Sequence, residues 1–441
     1  MDAYRRIIAV SMMLCALASP ALTNPSKLTF ASVDEVITHA LASNPDLDEY
    51  ALRQKKARKD YNSLRFHWLP SLSGSFAGQR NAELSVTPLP GELFGQPGTT
   101  VDAQFGQEYS YKTGLTLSKS ILDVQARYAS KIAKVSEEIA RANETAYKQQ
   151  LTEQVALNYY TAIITHTLLE NQQMSTSDAD QIVAIVASRF KEGVVDQSAV
   201  NRAHMNKNTA LKNQFSYQDV LEQSYRNLRL LLGIPVESEL VLNERLSAMT
   251  NHPPLVEGLG ADPALFVEEL TVRQSRFRLK EEKAAWLPKF DLSLYWGKEQ
   301  YRDNFGLSFD DTDWSDTETL YFSVSIPLFT GFSRRSKIQS ARAEYDLVRA
   351  TYEREQKASR IRDDFLLNQH HIYRQQAEIT HESYRLARDN ASLALQKYEQ
   401  GVISLDQYLD AIGEQRNSEA VYLDALLQYY HLYATFISRG N

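Results

Sequence analysis

A tandem duplication constrains the fold of this chain more than any other feature of its sequence. The tripeptide Trp-Leu-Pro at residues 68–70 recurs at residues 286–288, an offset of 218 positions (286 − 68). A second landmark, Gly193 followed by two β-branched residues, recurs at Gly401 with an offset of 208 (401 − 193). Such self-similarity has to be recognised before domains are assigned. We therefore predict one composite structure built from two copies of a unit, at residues 24–254 and 255–441.

Each copy contains two segments with the alternation of a half-buried β-strand. Apolar residues occupy every second position from Phe290 to Trp296, and again from Leu320 to Ile326, with polar or small residues between them. The segments approach the roughly 9–11 residues that a tilted strand needs to cross a bilayer. We predict membrane strands at residues 71–78, 109–118, 290–297 and 319–326, with an irregular outer loop at 79–107. Interfacial aromatic anchors are expected at Trp68, Trp286, Trp296, Tyr109 and Tyr111.

Very long helices are predicted to connect the strand pairs. Residues 123–192 contain neither proline nor glycine, and at 1.5 Å per residue they correspond to about 100 Å of helix. A break is expected only at residues 175–177. The second copy repeats the plan from Ser333 to Gln400, where apolar residues at alternating steps of three and four form a coiled-coil seam. The predicted fold class is mainly α, with long coiled-coil helices and a membrane β-barrel part that has four strands per chain.

Composition and targeting signals narrow the class of protein. A formal net charge of −7 provides no basic excess for neutralising phosphates, so no nucleic acid is expected as a partner. Arg5 and Arg6 followed by an apolar run have the layout of a signal peptide, predicted at residues 1–23 with cleavage between 18 and 25. The segment contains the only cysteine, Cys15, but the preceding Leu14 does not fit a lipoprotein signal. No other apolar stretch approaches the ~20 residues of a spanning helix.

Four strands of this kind require association with other copies of the chain. The smallest membrane barrels have about eight strands, and an unclosed sheet would leave backbone groups unsatisfied in lipid. Two copies would supply eight strands and three copies twelve. Because eight strands enclose only side chains whereas twelve begin to leave a water-filled lumen, the polar faces of the strands favour three copies.

The sequence resembles the TolC family of outer-membrane efflux proteins. The resemblance rests on the Trp-Leu-Pro segments, on Ile-Pro-Leu-Phe-Thr-Gly at residues 326–331, on the twofold repeat, and on the turn that runs from Tyr398 through Gly401 to Asp410. It implies a homotrimer with a 12-stranded barrel in outer-membrane lipid and a helical tunnel in the periplasm. The implied function is an exit channel that passively conducts small molecules. An inner-membrane pump of RND, ABC or MFS type would deliver them through a periplasmic adaptor (membrane fusion) protein.

The resemblance also implies two sets of functional residues. Adaptor-docking tips are expected where the helical hairpins turn, at Gly193, Val194, Gly401 and Val402. A pore gate is expected beside them, formed by Asp410, Gln407, Asp406, Tyr398 and Ser198. In a threefold assembly each inward carboxylate becomes a ring of three, which attracts cations. Ile403 stands where the family can have a basic residue, so no salt-bridged latch is expected between the hairpins.

Other functions have little support in the sequence. It contains no nucleotide-binding loop, no nucleophile triad and no second histidine after His381-Glu382 to complete a metalloprotease helix. We therefore predict neither an enzyme nor a cofactor or metal site. Two alternatives stay open. One is the outer-membrane component of a type I protein secretion system, and the other is a periplasmic coiled-coil adaptor or structural protein.

Overall fold

The computed structural model describes residues 27–95, 97–246 and 258–440. The predicted signal peptide and the boundary between the two predicted copies lie outside these ranges. Within them the chain forms seven α-helices: α1 (Val33–Ser43), α2 (Pro45–Phe66), α3 (Val124–Lys191), α4 (Gln197–Leu232), α5 (Pro263–Ala284), α6 (Ser333–Glu399) and α7 (Leu405–Arg439). The eight strands are β1 (Leu28–Phe30), β2 (Ser71–Arg80), β3 (Val86–Pro90), β4 (Thr100–Gln104), β5 (Tyr109–Leu122), β6 (Leu240–Leu242), β7 (Lys289–Arg302) and β8 (Ser315–Ser325).

Contacts divide the chain into two compact units, each containing segments of both sequence copies. The first, which we call the helical unit, takes its described residues from Met1–Glu49, Thr145–Asp262 and Ser359–Asn441. The second, which we call the strand unit, comprises Tyr50–Glu144 and Pro263–Ala358. The sequence copies therefore do not correspond to separate compact bodies, since every unit draws on both.

Helix α3 is continuous over 68 residues, and the predicted break at residues 175–177 is wrong. Serine and threonine side chains can compete with a helix for backbone hydrogen bonds, but residues 175–177 do not interrupt this one. In the structure the Thr176 hydroxyl donates to the carbonyl oxygen of Gln172, one turn back, at 2.9 Å. This bond satisfies the hydroxyl without unwinding the helix.

The core of the helical unit is rich in tyrosine. Tyr159, Tyr429 and Phe436 are among its largest fully buried side chains, contributed by α3 and α7. Short strands β1 and β6 pair in parallel beside this core, with Leu28 opposite Leu240. The phenol of Tyr159 donates to the Glu244 carboxylate at 2.5 Å, and burial raises the pKa of this phenol. Apolar burial together with satisfied polar groups stabilises the unit.

The strand unit contains an antiparallel four-stranded sheet with the order β2-β5-β7-β8. Strands β5 and β7 come from different sequence copies and join the two strand pairs, with Gly114 opposite Gly297. Both inner strands are 14 residues long, whereas β2 and β8 have 10 and 11 residues. At about 3.3 Å per residue, 14 residues extend about 46 Å along the strand.

The segment at residues 79–107 is more regular than the sequence indicated. Its loop contains the two-stranded sheet of β3 and β4, with Thr87 opposite Ala103, and a short 3₁₀ turn at Gly91–Phe94. The prolines of this segment lie in an edge hairpin, where a missing backbone N–H is tolerated. None of the helices in the described part of the chain is long and apolar enough to cross a membrane.

Candidate functional site

The four-stranded sheet has two chemically different faces, because side chains alternate across each strand. The register places Leu115 opposite Trp296 and Leu294 opposite Leu320 on one face. We call it the apolar face, and its exposed large side chains are Leu72, Phe76, Leu115, Leu117, Trp296, Leu320, Phe322 and Val324. The opposite, polar face pairs Ser118 with Ser293 and Asp291 with Ser323. Such a large exposed apolar surface is typical of a membrane contact.

The polar face carries a charge pair near the loop end of the two inner strands. Lys112 of β5 forms a 2.5 Å ion pair with Glu299 of β7, and its ammonium lies 4.3 Å from the centre of the Tyr295 ring. The Tyr295 ring lies over the paired glycines of the two inner strands, where a Cβ atom on either would come within 3.0 Å of it. Lys112 and Glu299 therefore hold fixed positions on the face that we expect to line a lumen.

Two of the three predicted tryptophan anchors carry an arginine over their rings. The Arg127 guanidinium lies 5.3 Å from the centre of the Trp68 ring, and the Arg334 guanidinium lies 5.6 Å from that of Trp286. The two arginines are separated by 207 positions (334 − 127), so the duplication repeats the pair. A cation over an indole is attracted by the ring quadrupole. The duplicated arginine is visible in the sequence, but its contact with a tryptophan is not.

The predicted tyrosine anchors differ in their surroundings. Tyr109 makes an edge contact with Phe305 at 5.8 Å between ring centres. Tyr111 is buried beneath the loop that follows β7, and its hydroxyl accepts a hydrogen bond from the backbone N–H of Gly306 at 3.1 Å. Trp296, another predicted anchor on the apolar face, is exposed at the middle of the sheet. Tyr111 thus packs inside the protein, while Tyr109 and Trp296 remain at its surface.

The two helical hairpins turn through the same hydrogen-bonding pattern. Gly193 donates to the Phe190 carbonyl and Val194 to the Arg189 carbonyl, at 3.0 and 2.9 Å. Gly401 and Val402 repeat both bonds at the end of α6, again at 3.0 and 2.9 Å. Both glycines have positive φ, +72° and +74°, which glycine adopts without strain. An apolar residue after such a turn commonly packs against the helix, yet Val194 and Val402 are each 67% exposed.

The predicted gate residues fall into two groups. Tyr398 stacks on Tyr408 with ring centres 5.4 Å apart, and the Arg189 guanidinium lies 5.1 Å from the centre of its ring. Gln407 closes the capping box of α7, because its amide oxygen accepts from the Ser404 backbone N–H at 3.0 Å. The structure therefore places Tyr398 between the hairpins and assigns Gln407 a local structural contact.

Asp406 forms an ion pair that the sequence reading did not predict. Arg202 of α4 lies 3.4 Å from the Asp406 carboxylate on α7. This pair does not use position 403, where the resemblance places the basic latch residue, because its cation comes from α4. The expectation that position 403 forms no salt-bridged latch stays a prediction. Asp410 is exposed and has no ion-pair partner within the described residues, and Ser198 is exposed in the first turn of α4. Arg202 occupies the repeat position equivalent to Asp410 (410 − 202 = 208).

A partly buried polar cluster joins α3 to α7 farther from the turns. Asn171 donates to the Glu419 carboxylate at 2.6 Å, and Arg416 donates to the Ser175 carbonyl at 3.2 Å. Burial raises the pKa of Glu419 and lowers that of Arg416. Buried charges of this kind are costly unless they are hydrogen-bonded. These bonds therefore fix how α3 and α7 pack. No group of three or more metal-ligating side chains was found in the described ranges.

An amphipathic four-stranded sheet together with paired helical hairpins is the fold of solved outer-membrane channels. The chain belongs to the outer membrane efflux protein family, whose model matches residues 36–234 and 255–435. It is an exit channel of multi-component efflux systems, located in the outer membrane and extending into the periplasm. The family is one of channels rather than enzymes.

Known proteins of similar sequence and fold agree with this assignment. The solvent efflux pump outer membrane protein SrpC of Pseudomonas putida is 27% identical over 385 residues, covering 86% of this chain and 77% of that protein. The CmeC outer membrane channel of Campylobacter jejuni has a TM-score of 0.74 at 17% identity, covering 96% and 90%. The open state of the MtrE outer membrane channel of Neisseria gonorrhoeae has a TM-score of 0.74 at 19% identity, covering 92% and 88%. The predicted fold class and family are confirmed.

Proposed function

We propose that three copies of the chain assemble into one channel with twelve membrane strands. The sheet supports this proposal because β2 and β8 each pair on only one side within the described chain. An unpaired strand edge in lipid leaves backbone groups without hydrogen bonds, each costing several kcal/mol. Joining β8 of one copy to β2 of the next would satisfy both edges. The polar faces would then line a water-filled lumen and the apolar faces would contact lipid.

The channel would conduct small molecules passively, with no catalytic step of its own. An inner-membrane pump of RND, ABC or MFS type would supply them through a periplasmic adaptor. Apolar organic solvents are the first substrates to test, because the relative from Pseudomonas putida is named as part of a solvent efflux pump. The adaptor would dock at the hairpin turns. The exposed Val194 and Val402 side chains support this role, since an apolar contact at each turn is left unmade within the chain.

The gate would lie beside the docking turns. The Arg202–Asp406 pair and the contact of the Arg189 guanidinium with the Tyr398 ring hold the two hairpins together within one chain. In a trimer the exposed Asp410 carboxylates would form a ring of three, and their negative charge would favour cations. Opening would require the contacts between hairpins to be broken or rearranged. Adaptor binding at the adjacent turns is a suitable trigger, because it acts on the residues that begin α4 and α7.

Conductance and mass measured on the same purified sample test the channel proposal. We expect a mass of about three 50.2 kDa chains, reduced by any cleaved signal segment, and small, mostly closed, cation-preferring currents in a planar bilayer. A monomer or dimer without conductance would refute the trimeric channel.

Docking at the turns is tested separately in cells that depend on this protein for solvent tolerance. Val402→Asp should abolish tolerance while leaving conductance in bilayers unchanged. Val421→Asp, at an exposed valine in the middle of α7, serves as the matched control. Equal tolerance of the two variants would exclude Val402 from docking.

A further inference from the structure

The loop that joins β7 to β8, at residues 303–314, lies against the apolar face of the sheet. Alternation along β7 places Gln300 on the same face as Trp296, and the register places Tyr111 opposite Gln300. Both side chains contact the loop. Gly306 donates to the Tyr111 hydroxyl at 3.1 Å, and the Ser308 backbone N–H donates to the Gln300 side-chain oxygen at 3.0 Å. The loop is thus folded back onto the lipid-facing side and not onto the polar face.

These contacts remove polar groups from a surface that faces lipid. The Gln300 side chain is 0% exposed, although it points to the apolar side of its strand. The indole N–H of Trp314 donates to the Ser308 carbonyl at 3.0 Å, and Arg302 donates to the Gly306 carbonyl at 3.3 Å. Unsatisfied polar groups are strongly disfavoured in a bilayer. These bonds satisfy the named donors and acceptors of the loop and the sheet. The loop also carries the exposed carboxylates of Asp310, Asp311 and Asp313, of which Asp311 pairs with Lys298, so these groups have to stay at the level of the polar headgroups.

The same loop exposes two phenylalanines almost completely. Phe305 is 85% exposed and Phe309 is 95% exposed. Each flanks a residue whose backbone is hydrogen-bonded to the sheet, Gly306 and Ser308, so the positions are held by the strand unit. Moving apolar surface from water into an apolar environment is favourable by roughly 25 cal/mol per Å², and an aromatic side chain that stays in water does not gain this free energy. Two such side chains on one ordered loop therefore indicate an apolar environment around it.

Two observations identify that environment as lipid. The loop continues the apolar face, which belongs to the outer-membrane part of the protein. The Phe305 ring contacts Tyr109 of β5, an inner strand of the sheet. A neighbouring copy joined at β2 or β8 would begin at least two strand spacings, about 9.6 Å, away from β5. The four strand ends that connect to helices lie at the opposite end of the sheet, so this loop is at the outer surface.

We propose that the loop at residues 303–314 is a membrane anchor whose Phe305 and Phe309 side chains insert into the acyl region of the outer leaflet. It would fix the depth of the sheet in the membrane from the outside, while the arginine-capped Trp68 and Trp286 lie at the helix-connected end. The proposal rests on the outer-membrane location of the sheet. It does not depend on adaptor docking or on the gate.

Depth-dependent quenching in vesicles tests the anchor. The full chain carries Cys15→Ser, so that Phe309→Cys supplies the single thiol for an environment-sensitive fluorophore. The protein is reconstituted in phosphatidylcholine vesicles with or without brominated acyl chains. We expect quenching well above that of the control below and approaching that of Trp296→Cys, which serves as the lipid-facing reference nearer the middle of the sheet. Tyr301→Cys, at the same end of β7 but on the polar face, is the matched control and should not be quenched.

Each outcome decides the proposal. Quenching of Phe309→Cys at the level of Tyr301→Cys would place the loop in water and overturn the anchor. Excimer emission from a pyrene label at position 309 would show that the loops of two copies contact each other. This result would overturn the membrane anchor and indicate a protein interface instead. Because conductance is recorded on the same samples, failure of the channel proposal would be seen as lost currents while the quenching result stands on its own.

Discussion

The closest backbone approach in the sheet predicts a large effect from a single added methyl group. Gly297 of β7 lies opposite Gly114 of β5. A Cβ atom at position 297 would lie 2.3 Å from the Thr113 carbonyl oxygen and 2.8 Å from the Gly114 Cα. Both neighbours belong to the backbone of the adjacent strand, so a rotamer change cannot relieve the overlap. Gly297→Ala therefore has to separate the two inner strands locally.

The size of the effect follows from this separation. Restoring an ordinary contact of about 3.4 Å requires a shift of about 1 Å, enough to break one or two ladder hydrogen bonds. Each contributes about 1 kcal/mol in water and more where lipid offers no alternative partner. We expect Gly297→Ala to lower the free energy of unfolding by about 2–4 kcal/mol. Gly74→Ala is the control, because its Cβ would lie 3.7 Å from Leu115 and should cost less than about 0.5 kcal/mol.

Urea titration in detergent, followed by tryptophan fluorescence and by gel mobility of the folded form, measures both variants. A third variant, Tyr295→Ala combined with Gly297→Ala, removes the ring that also lies over position 297. If the backbone overlap dominates, this double variant stays as unstable as Gly297→Ala. Equal stability of Gly297→Ala and Gly74→Ala would refute the reasoning, and full rescue by Tyr295→Ala would assign the cost to the ring.

Three further predictions concern the helical unit. Arg202→Ala removes an exposed ion pair worth about 0.2–1 kcal/mol. Because a trimer would contain three such pairs, the fraction of time that the channel is open in bilayers should rise about threefold to a hundredfold. Arg202→Lys keeps the charge and should stay near wild type. Asp410→Ala should weaken channel block by multivalent cations about tenfold, and equal block in Asp410→Ala and in Asp424→Ala, an exposed control on the same helix, would remove Asp410 from the gate. Burial among Tyr429 and Phe436 lowers the pKa of His370, so the unfolded state binds its proton first and stability should fall as pH drops below about 6.5. His370→Phe should flatten this pH dependence in thermal unfolding scans, and exposed His371→Gln should retain it.

The duplication explains both the similarities and the differences between the hairpins. The turns at Gly193 and Gly401 are the same in hydrogen bonding and in the exposure of the following valine. One turn farther on, the copies differ in charge, with Arg202 on α4 and Asp410 at the equivalent position of α7. This difference provides α4 with the cation that pairs with Asp406. Asp406 in turn has Ser198 as its equivalent in the first copy (406 − 208), so each copy supplies one charge of the pair that the other copy lacks.

Sequence alone determined the features that depend on local periodicity. The two-residue alternation defines a strand with two faces wherever it occurs, and the absence of glycine and proline permits helices of 68 and 67 residues. The glycines of the hairpin turns follow from the positive φ that such turns require. The constant offsets between the two copies show that each strand pair and each hairpin turn occurs twice. The resemblance to the family rested on the Trp-Leu-Pro segments, the motif at residues 326–331 and the repeat, none of which requires a contact between distant residues.

Tertiary structure decided everything that depends on which side chains meet. The Arg202–Asp406 pair and the two Arg–Trp pairs join residues more than 40 positions apart in the sequence, and no local pattern encodes such a partner. Thr176 could not be judged from composition, because its hydroxyl is satisfied only by the geometry of the helix itself. The loop at residues 303–314 is polar enough to be predicted as an outer loop in water. Only its hydrogen bonds to Tyr111 and Gln300 place it on the apolar face, because a loop's position is determined by the groups it satisfies and not by its own composition.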